Sequence, residues 1–234
     1  MERCALVTGA SSGIGLALAR MLANEGYRVT ISARRADRLR ELADVSEGSL
    51  FPVPADVSRE EDVIGLVRTH AERFGRLDVL VNAAGIAGAQ PSDSAETADV
   101  DLQLAVNLRA PLLVTREALP LLRTAGAEHG KALVVNVSSV SGKEGQPGNT
   151  IYSATKAGLI SLTQSLQRET AGDGIQATAL CPGLVETPMT SDWDVAHGEL
   201  ISTDDVVEAV RFLLRTSTWC VVPEIVLNRR GALG

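Results

Sequence analysis

The stretch Thr8-Gly9-Ala10-Ser11-Ser12-Gly13-Ile14-Gly15 follows the apolar run Cys4-Ala5-Leu6-Val7 and leads into residues of helical period. Glycines at positions 9, 13 and 15 let a chain turn sharply out of a buried strand. They also let an anion approach the start of a helix, where free N–H groups and the helix dipole favour negative charge. The spacing is G-x-x-x-G-x-G, which differs from the G-x-G-x-x-G of the usual dinucleotide fingerprint. A glycine-rich strand-to-helix turn with no ligand has the same appearance, so the motif gains meaning from what surrounds it.

Outward from this turn, short apolar runs alternate with longer segments of helical period to the end of the chain. Strands are expected at 5–8, 28–32, 50–53, 79–81, 133–137, 176–180 and 224–227, each ended by glycine, asparagine, proline or a charged cluster. Helices are expected at 14–25, 36–43, 59–73, 100–122, 151–170 and 204–215, the last opened by the negative charges of Asp204 and Asp205. Right-handed crossovers then give an α/β, doubly wound, Rossmann-type parallel sheet of about seven strands with helices on both faces.

A chain of 234 residues suits a single domain spanning 1–234. Hydrophobic residues make up 45% and charged residues 22%, which excludes disordered and fibrous classes. A net charge of -7 and 3% aromatics argue against nucleic acid as a partner, for want of a basic footprint and stacking rings. No apolar run reaches membrane-spanning length, and residues 1–3 run straight into the first strand, so no membrane and a cytoplasmic location are expected. Cys4, Cys181 and Cys220 are widely spaced and are expected as buried, reduced thiols. His70, His129 and His197 stand apart and are expected at the surface, with no metal site.

The second strand ends in Ser32-Ala33-Arg34-Arg35. An NAD-binding sheet carries an acidic residue there to accept the adenosine ribose hydroxyls, and this chain has Ala33. Arg34 follows, and a guanidinium pairs bidentately with a 2'-phosphate, so NADP is the expected cofactor. The competing reading is a solvated basic helix start, because Arg35, Arg38 and Arg40 continue the run. Farther on, Asn107 sits within an apolar helical segment, and Asn136-Val137-Ser138-Ser139 ends the fifth strand, where an open parallel sheet presents ligands. Tyr152-Ser153-Ala154-Thr155-Lys156 follows. Residues four apart share a helix face, so the Lys156 ammonium is expected to favour the ionised Tyr152 phenol and make a general acid/base of a group with a pKa ordinarily near 10.

Taken together these residues resemble the short-chain dehydrogenase/reductase family in its compact form, over nearly the whole chain. Thr8 to Gly15 is similar to the family's TGxxxGxG turn, Asp56-Val57 to its adenine-contacting pair, and Asn82-Ala83-Ala84-Gly85 to its NNAG strand end. Asn107 matches its catalytic asparagine, and the family's thirteen-residue spacing from serine to tyrosine selects Ser139 over Ser138. Pro182-Gly183 with Val185 and Thr187 resembles the segment that holds the nicotinamide carboxamide. The chain departs from the family at Ala83, in the short segment 188–203 where relatives carry a longer lid, and at Asn228-Arg229-Arg230-Gly231 in place of the usual Asp-Gly-Gly ending.

The resemblance implies reversible hydride transfer between NADPH and a small carbonyl or alcohol substrate. Ser139 would hold the carbonyl oxygen, Tyr152 donate the proton, Lys156 bind the nicotinamide ribose and Asn107 position a water linking Lys156 to solvent. A cofactor-binding sensor without turnover is the alternative, and the intact Ser139, Tyr152 and Lys156 set argues against it. An epimerase or dehydratase of the extended relatives would need a larger C-terminal domain than these residues supply. Val140, Gln146, Leu184, Met189 and Trp193 are the expected pocket residues. The apolar circumference of the 151–167 helix calls for a partner helix, and with the family's four-helix interface a homodimer or homotetramer is expected.

Overall fold

The computed structural model describes residues 2–191 and 199–231. Seven strands, β1 (Cys4–Thr8), β2 (Arg28–Ser32), β3 (Leu50–Pro52), β4 (Val79–Asn82), β5 (Ala132–Val137), β6 (Ile175–Pro182) and β7 (Glu224–Leu227), form one parallel sheet. Its order is β3-β2-β1-β4-β5-β6-β7. The order reverses beside β1, so the crevice for a ligand opens between the C-terminal ends of β1 and β4.

Strand alternation divides the core into two layers. Ala5, Val7, Val79, Val81, Leu133 and Val135 face helices α1 (Gly13–Asn24), α2 (Ala36–Asp44) and α7 (Thr203–Arg215), meeting Leu18, Leu22, Leu39 and Val210. Leu6, Leu80 and Val134 point the other way, onto Val63 and Leu66 of α3 (Glu60–Phe74), Val114 and Leu122 of α5 (Ala110–His129), and Leu166 of α6 (Thr150–Glu169). Burial on both faces is why the strands read as continuous apolar runs. The charge expected at the start of α7 is part of a capping box, in which Ser202 accepts from the Asp204 N–H and Asp205 accepts from the Ser202 N–H.

One expected helix is not continuous. The 100–122 segment divides into α4 (Thr97–Leu104), a π-turn (Ala105–Arg109) and α5. Pro111 in the first turn of α5 has no N–H for the Asn107 carbonyl four residues earlier, and its ring crowds that carbonyl, so the helix widens there. Hydrophobic period runs through the break, which hides it from pattern reading. Two other expectations are corrected. Cys220 is exposed, because it lies in the loop before β7 and outside both core layers, whereas Cys4 and Cys181 are buried. His70 is fully buried, held by Thr30 Oγ1 at 2.7 Å and the Arg76 carbonyl at 2.9 Å, and burial lowers its pKa. His197 and Trp193 lie outside the described residues.

Candidate active site

A cleft of about 880 Å³ runs along the C-terminal ends of the strands. The first turn supplies its floor: Gly9, Ser11, Ser12, Gly13, Ile14 and Gly15 all line it. Two close approaches force glycine in this turn. A Cβ at Gly9 (φ +68°) would lie 2.6 Å from the Ala84 nitrogen, and one at Gly15 would lie 2.4 Å from the Gly9 oxygen. Thr8 secures the turn to β4 by accepting the Ala83 and Ala84 N–H groups at 3.2 and 3.3 Å.

Helix α1 opens on this floor with Ser12 extended, no side-chain cap and no acidic residue in its first turn. Its first-turn N–H groups are therefore presented to the cleft without a protein anion to satisfy them, a donor set suited to a diphosphate. Arg34 and Arg35 line the same end of the cleft with Asp56, Val57 and Ala33. Arg35 donates to Ser11 Oγ at 3.2 Å, bridging the end of β2 to the turn. The rest of the basic run behaves as helix surface, Arg38 pairing with Glu41 and Arg40 with Asp37. Arg35 was hidden in that run, and only its bond across the crevice separates it from its neighbours.

Midway along the cleft, Ala83, Ala84 and Gly85 line one wall, and Pro182, Gly183, Val185 and Thr187 another. Asn82 does not reach the cleft. It is buried, donating to Asn136 Oδ1 at 2.8 Å and Thr115 Oγ1 at 3.3 Å, and Asn136 in turn donates to Thr163 Oγ1 at 2.9 Å. The expected cofactor contact at position 82 is thus an interior amide relay joining β4, β5 and α6. A short side chain at the very end of β4 still points into the sheet interior, whereas the backbone leaves it only at Ala83.

Ser139, Tyr152 and Lys156 line the cleft together. Ser139 sits extended after β5 and accepts the Ser141 N–H at 3.1 Å. Lys156 is buried. Its Nζ donates to the Val137 carbonyl at 2.8 Å, and burial pushes its pKa down to about 8. The Lys156 nitrogen stands 5.5 Å from the centre of the Tyr152 ring. Contrary to expectation, the Tyr152 phenol titrates above its ordinary range, because burial outweighs the opposing bond to the Ser139 hydroxyl. Desolvation disfavours the charged forms of both members of the pair.

Asn107 sits in the π-turn, fully buried, and does not line the cleft. Its Oδ1 accepts the Ile86 N–H at 2.9 Å and its Nδ2 donates to the Ile86 carbonyl at 2.9 Å and to Thr155 Oγ1 at 3.3 Å. The Asn107 side chain is thus engaged with the Ile86 backbone. It still lies close to Lys156, since a Cβ on Gly85 would be 3.5 Å from both Asn107 Oδ1 and Lys156 Nζ.

Of the expected pocket residues, Val140, Gln146, Leu184 and Met189 line the cleft. Asn228 and Arg229, at the end of β7, line it as well and were not expected there. The only sequence signal for them was the departure from the family's Asp-Gly-Gly ending.

A family profile described as short chain dehydrogenase matches residues 3–197. An uncharacterized oxidoreductase of Staphylococcus aureus (strain MRSA252) is 33% identical over 228 residues, 97% of each chain. A 3-ketoacyl-(acyl-carrier-protein) reductase from Brucella melitensis, solved with NADH, superposes with a TM-score of 0.89 at 31% identity, over 97% of this chain and 96% of that one. A variant of the actinorhodin polyketide ketoreductase, solved with NADPH, superposes at 0.87 with 32% identity, over 100% of this chain and 97% of that one.

Proposed function

The chain belongs to the short-chain dehydrogenase/reductase family and is an oxidoreductase, and from that premise we propose that it is a cytosolic, NADPH-dependent reductase of a small carbonyl compound, with residues 1–234 acting as one cofactor-binding and catalytic domain. The observation that carries the reading is the meeting of Ser139, Tyr152 and Lys156 in one cleft with the anion-ready start of α1. NADPH is favoured over NADH by Ala33, which offers no acceptor to ribose hydroxyls, and by the Arg34 and Arg35 guanidiniums beside it.

The nicotinamide, when bound, supplies the hydride. Ser139 Oγ–H donates to the substrate carbonyl oxygen and aligns it with the Tyr152 hydroxyl. Tyr152 delivers its proton to that oxygen as negative charge develops on it, giving the secondary alcohol. A raised phenol pKa keeps the proton on Tyr152 until it is needed, the state required for reduction. Lys156, charged below about pH 8, offers its remaining N–H donors to the cofactor ribose and stabilises the phenolate left after transfer. Asn107 holds the Ile86 backbone and so sets the wall beside Lys156, which makes it a positioning residue.

A homodimer at least is part of this reading. α6 turns Ala154 and Ala157 to solvent, and Leu102, Leu104 and Leu112 of α4 and α5 are 43%, 41% and 52% exposed.

The test is a panel of ketones, ketoesters and quinones assayed for NADPH oxidation by the purified protein. Turnover of at least one carbonyl, with NADPH preferred, is expected. A flat response across the panel would overturn the reading in favour of a cofactor sensor.

A further inference from the structure

The charged groups along the cleft are unevenly placed. Arg34, Arg35 and Asp56 occupy the end beneath β2 and β3, and Lys156 the middle. Beyond the reacting groups, where β6 and β7 end, the charged lining residues are Glu144 and Arg229. Glu144 is exposed on the loop after β5, whereas Arg229 is half-buried. The segment carrying Arg229 is fastened in place: the Gly183 N–H donates to the Leu227 carbonyl at 2.8 Å, and a Cβ on Gly183 would meet Asn228 Oδ1 at 3.2 Å.

Among the described residues Arg229 makes no ion pair and no hydrogen bond, although most arginines of this chain are paired with carboxylates. Arg229 is half-buried as a residue and has no counter-ion in the cleft among the described residues, and the planar fork of a guanidinium matches the two oxygens of a carboxylate or phosphate. Apolar Val140, Leu184 and Met189, which follow β5 and β6 in the chain, line the cleft as well.

We propose that Arg229 recognises an oxyanion on the carbonyl substrate, so that the substrate class is an oxo compound with an apolar body and a carboxylate or phosphate remote from the carbonyl. This rests on the reductase reading above. Arg229 would act on binding: the anion is held equally in ground and transition states, so its loss appears in KM more than in kcat.

The experiment compares (ω−1)-oxo acids of five to eight carbons with their methyl esters, and 6-oxoheptyl phosphate with 7-hydroxyheptan-2-one, in wild type, Arg229→Ala and Arg230→Ala. Arg230 is exposed and does not line the cleft, so its removal controls for net charge. Wild type is expected to prefer the anionic member of one pair by about tenfold or more in kcat/KM. Arg229→Ala should abolish that preference through KM while leaving the neutral member and Arg230→Ala unchanged. Preference within the acid–ester pairs identifies a carboxylate, and within the other pair a phosphate.

A second readout is calorimetric binding of the corresponding (ω−1)-hydroxy acids and of 6-hydroxyheptyl phosphate to the protein with NADP+. Tighter binding than that of the methyl esters or of heptane-1,6-diol, lost in Arg229→Ala, is expected. Equal binding and turnover of anionic and neutral members by wild type, or an equal loss for both in Arg229→Ala, overturns the assignment. In that case the neutral ketones still report on the reductase reading. If no carbonyl is turned over, the reductase reading fails, and the calorimetric arm decides on Arg229 alone.

Discussion

Lys156 Nζ donates 2.8 Å to the backbone oxygen of Val137, so the ammonium is anchored to the end of β5 from the first turns of α6. The bond fixes where the nitrogen lies, and burial decides what charge it carries. With a folded pKa of about 8 against an ordinary 10.5, the charged form is disfavoured in the native state. Below pH 8 the native protein carries the whole desolvation penalty. Between 8 and 10.5 the unfolded chain holds the extra proton, so stability from this group rises with pH. Lys156→Met removes the effect. Its stability advantage over wild type is expected to shrink by about 3 kcal/mol as pH rises through this window, read from urea midpoints at matched pH. A difference independent of pH would mean that Lys156 titrates normally.

NADPH affinity should follow the same group in the opposite sense. Neutralising Lys156 above about pH 8 removes the charge offered to the ribose, so Kd for NADPH should rise severalfold between pH 7 and 9 in wild type. Lys156→Met should bind weakly at both, and fluorescence titration separates the two cases.

Tyr152→Phe keeps the ring and its packing but removes the proton. Turnover should fall by about 100-fold or more with little change in NADPH binding. Near-normal turnover in that variant would remove Tyr152 from the mechanism.

Cofactor choice is expected to depend on two arginines. Arg34→Ala and Arg35→Ala should each lower kcat/KM for NADPH by about tenfold to a hundredfold, the worth of a charge-assisted hydrogen bond, without creating NADH use. Ala33→Asp added to either supplies a ribose acceptor and repels the phosphate, and should reverse the preference. Equal use of NADH and NADPH by wild type would reduce both arginines to helix surface.

Asn82→Ala breaks the interior relay and leaves Asn136 Oδ1 without its donor. A loss of about 1–3 kcal/mol in unfolding free energy is expected, with NADPH affinity changed little, because the side chain does not line the cleft. A large loss of affinity at unchanged stability would return position 82 to the cofactor site.

Sedimentation at micromolar concentration should give a dimer or larger, and Leu112→Glu, placed on the exposed face of α5, should shift it toward monomer. A monomeric wild type would leave α4, α5 and α6 as ordinary surface helices.

The sheet, the turn at Gly9 to Gly15 and the Tyr152–Lys156 pair were all legible in the chain, since each depends on features short in sequence: short continuous apolar runs, helical period and the backbone freedom of glycine. Tertiary structure decided the rest. Asn82 and Asn107 have the residue type of site groups, but hydrogen bonds to distant Asn136 and to Ile86 engage them, and no local pattern encodes those partners. The break at Asn107 lies within unbroken apolar period. Arg35 read as part of a basic helix surface and Arg229 only as a departure from the family's ending, and the packing of β2 beside the first turn and of β7 beside β6 sets them on the cleft. The sign of the Tyr152 shift follows the same logic: sequence spacing sets the two side chains four residues apart on one helix, whereas burial, which depends on the whole fold, raises the pKa of the phenol.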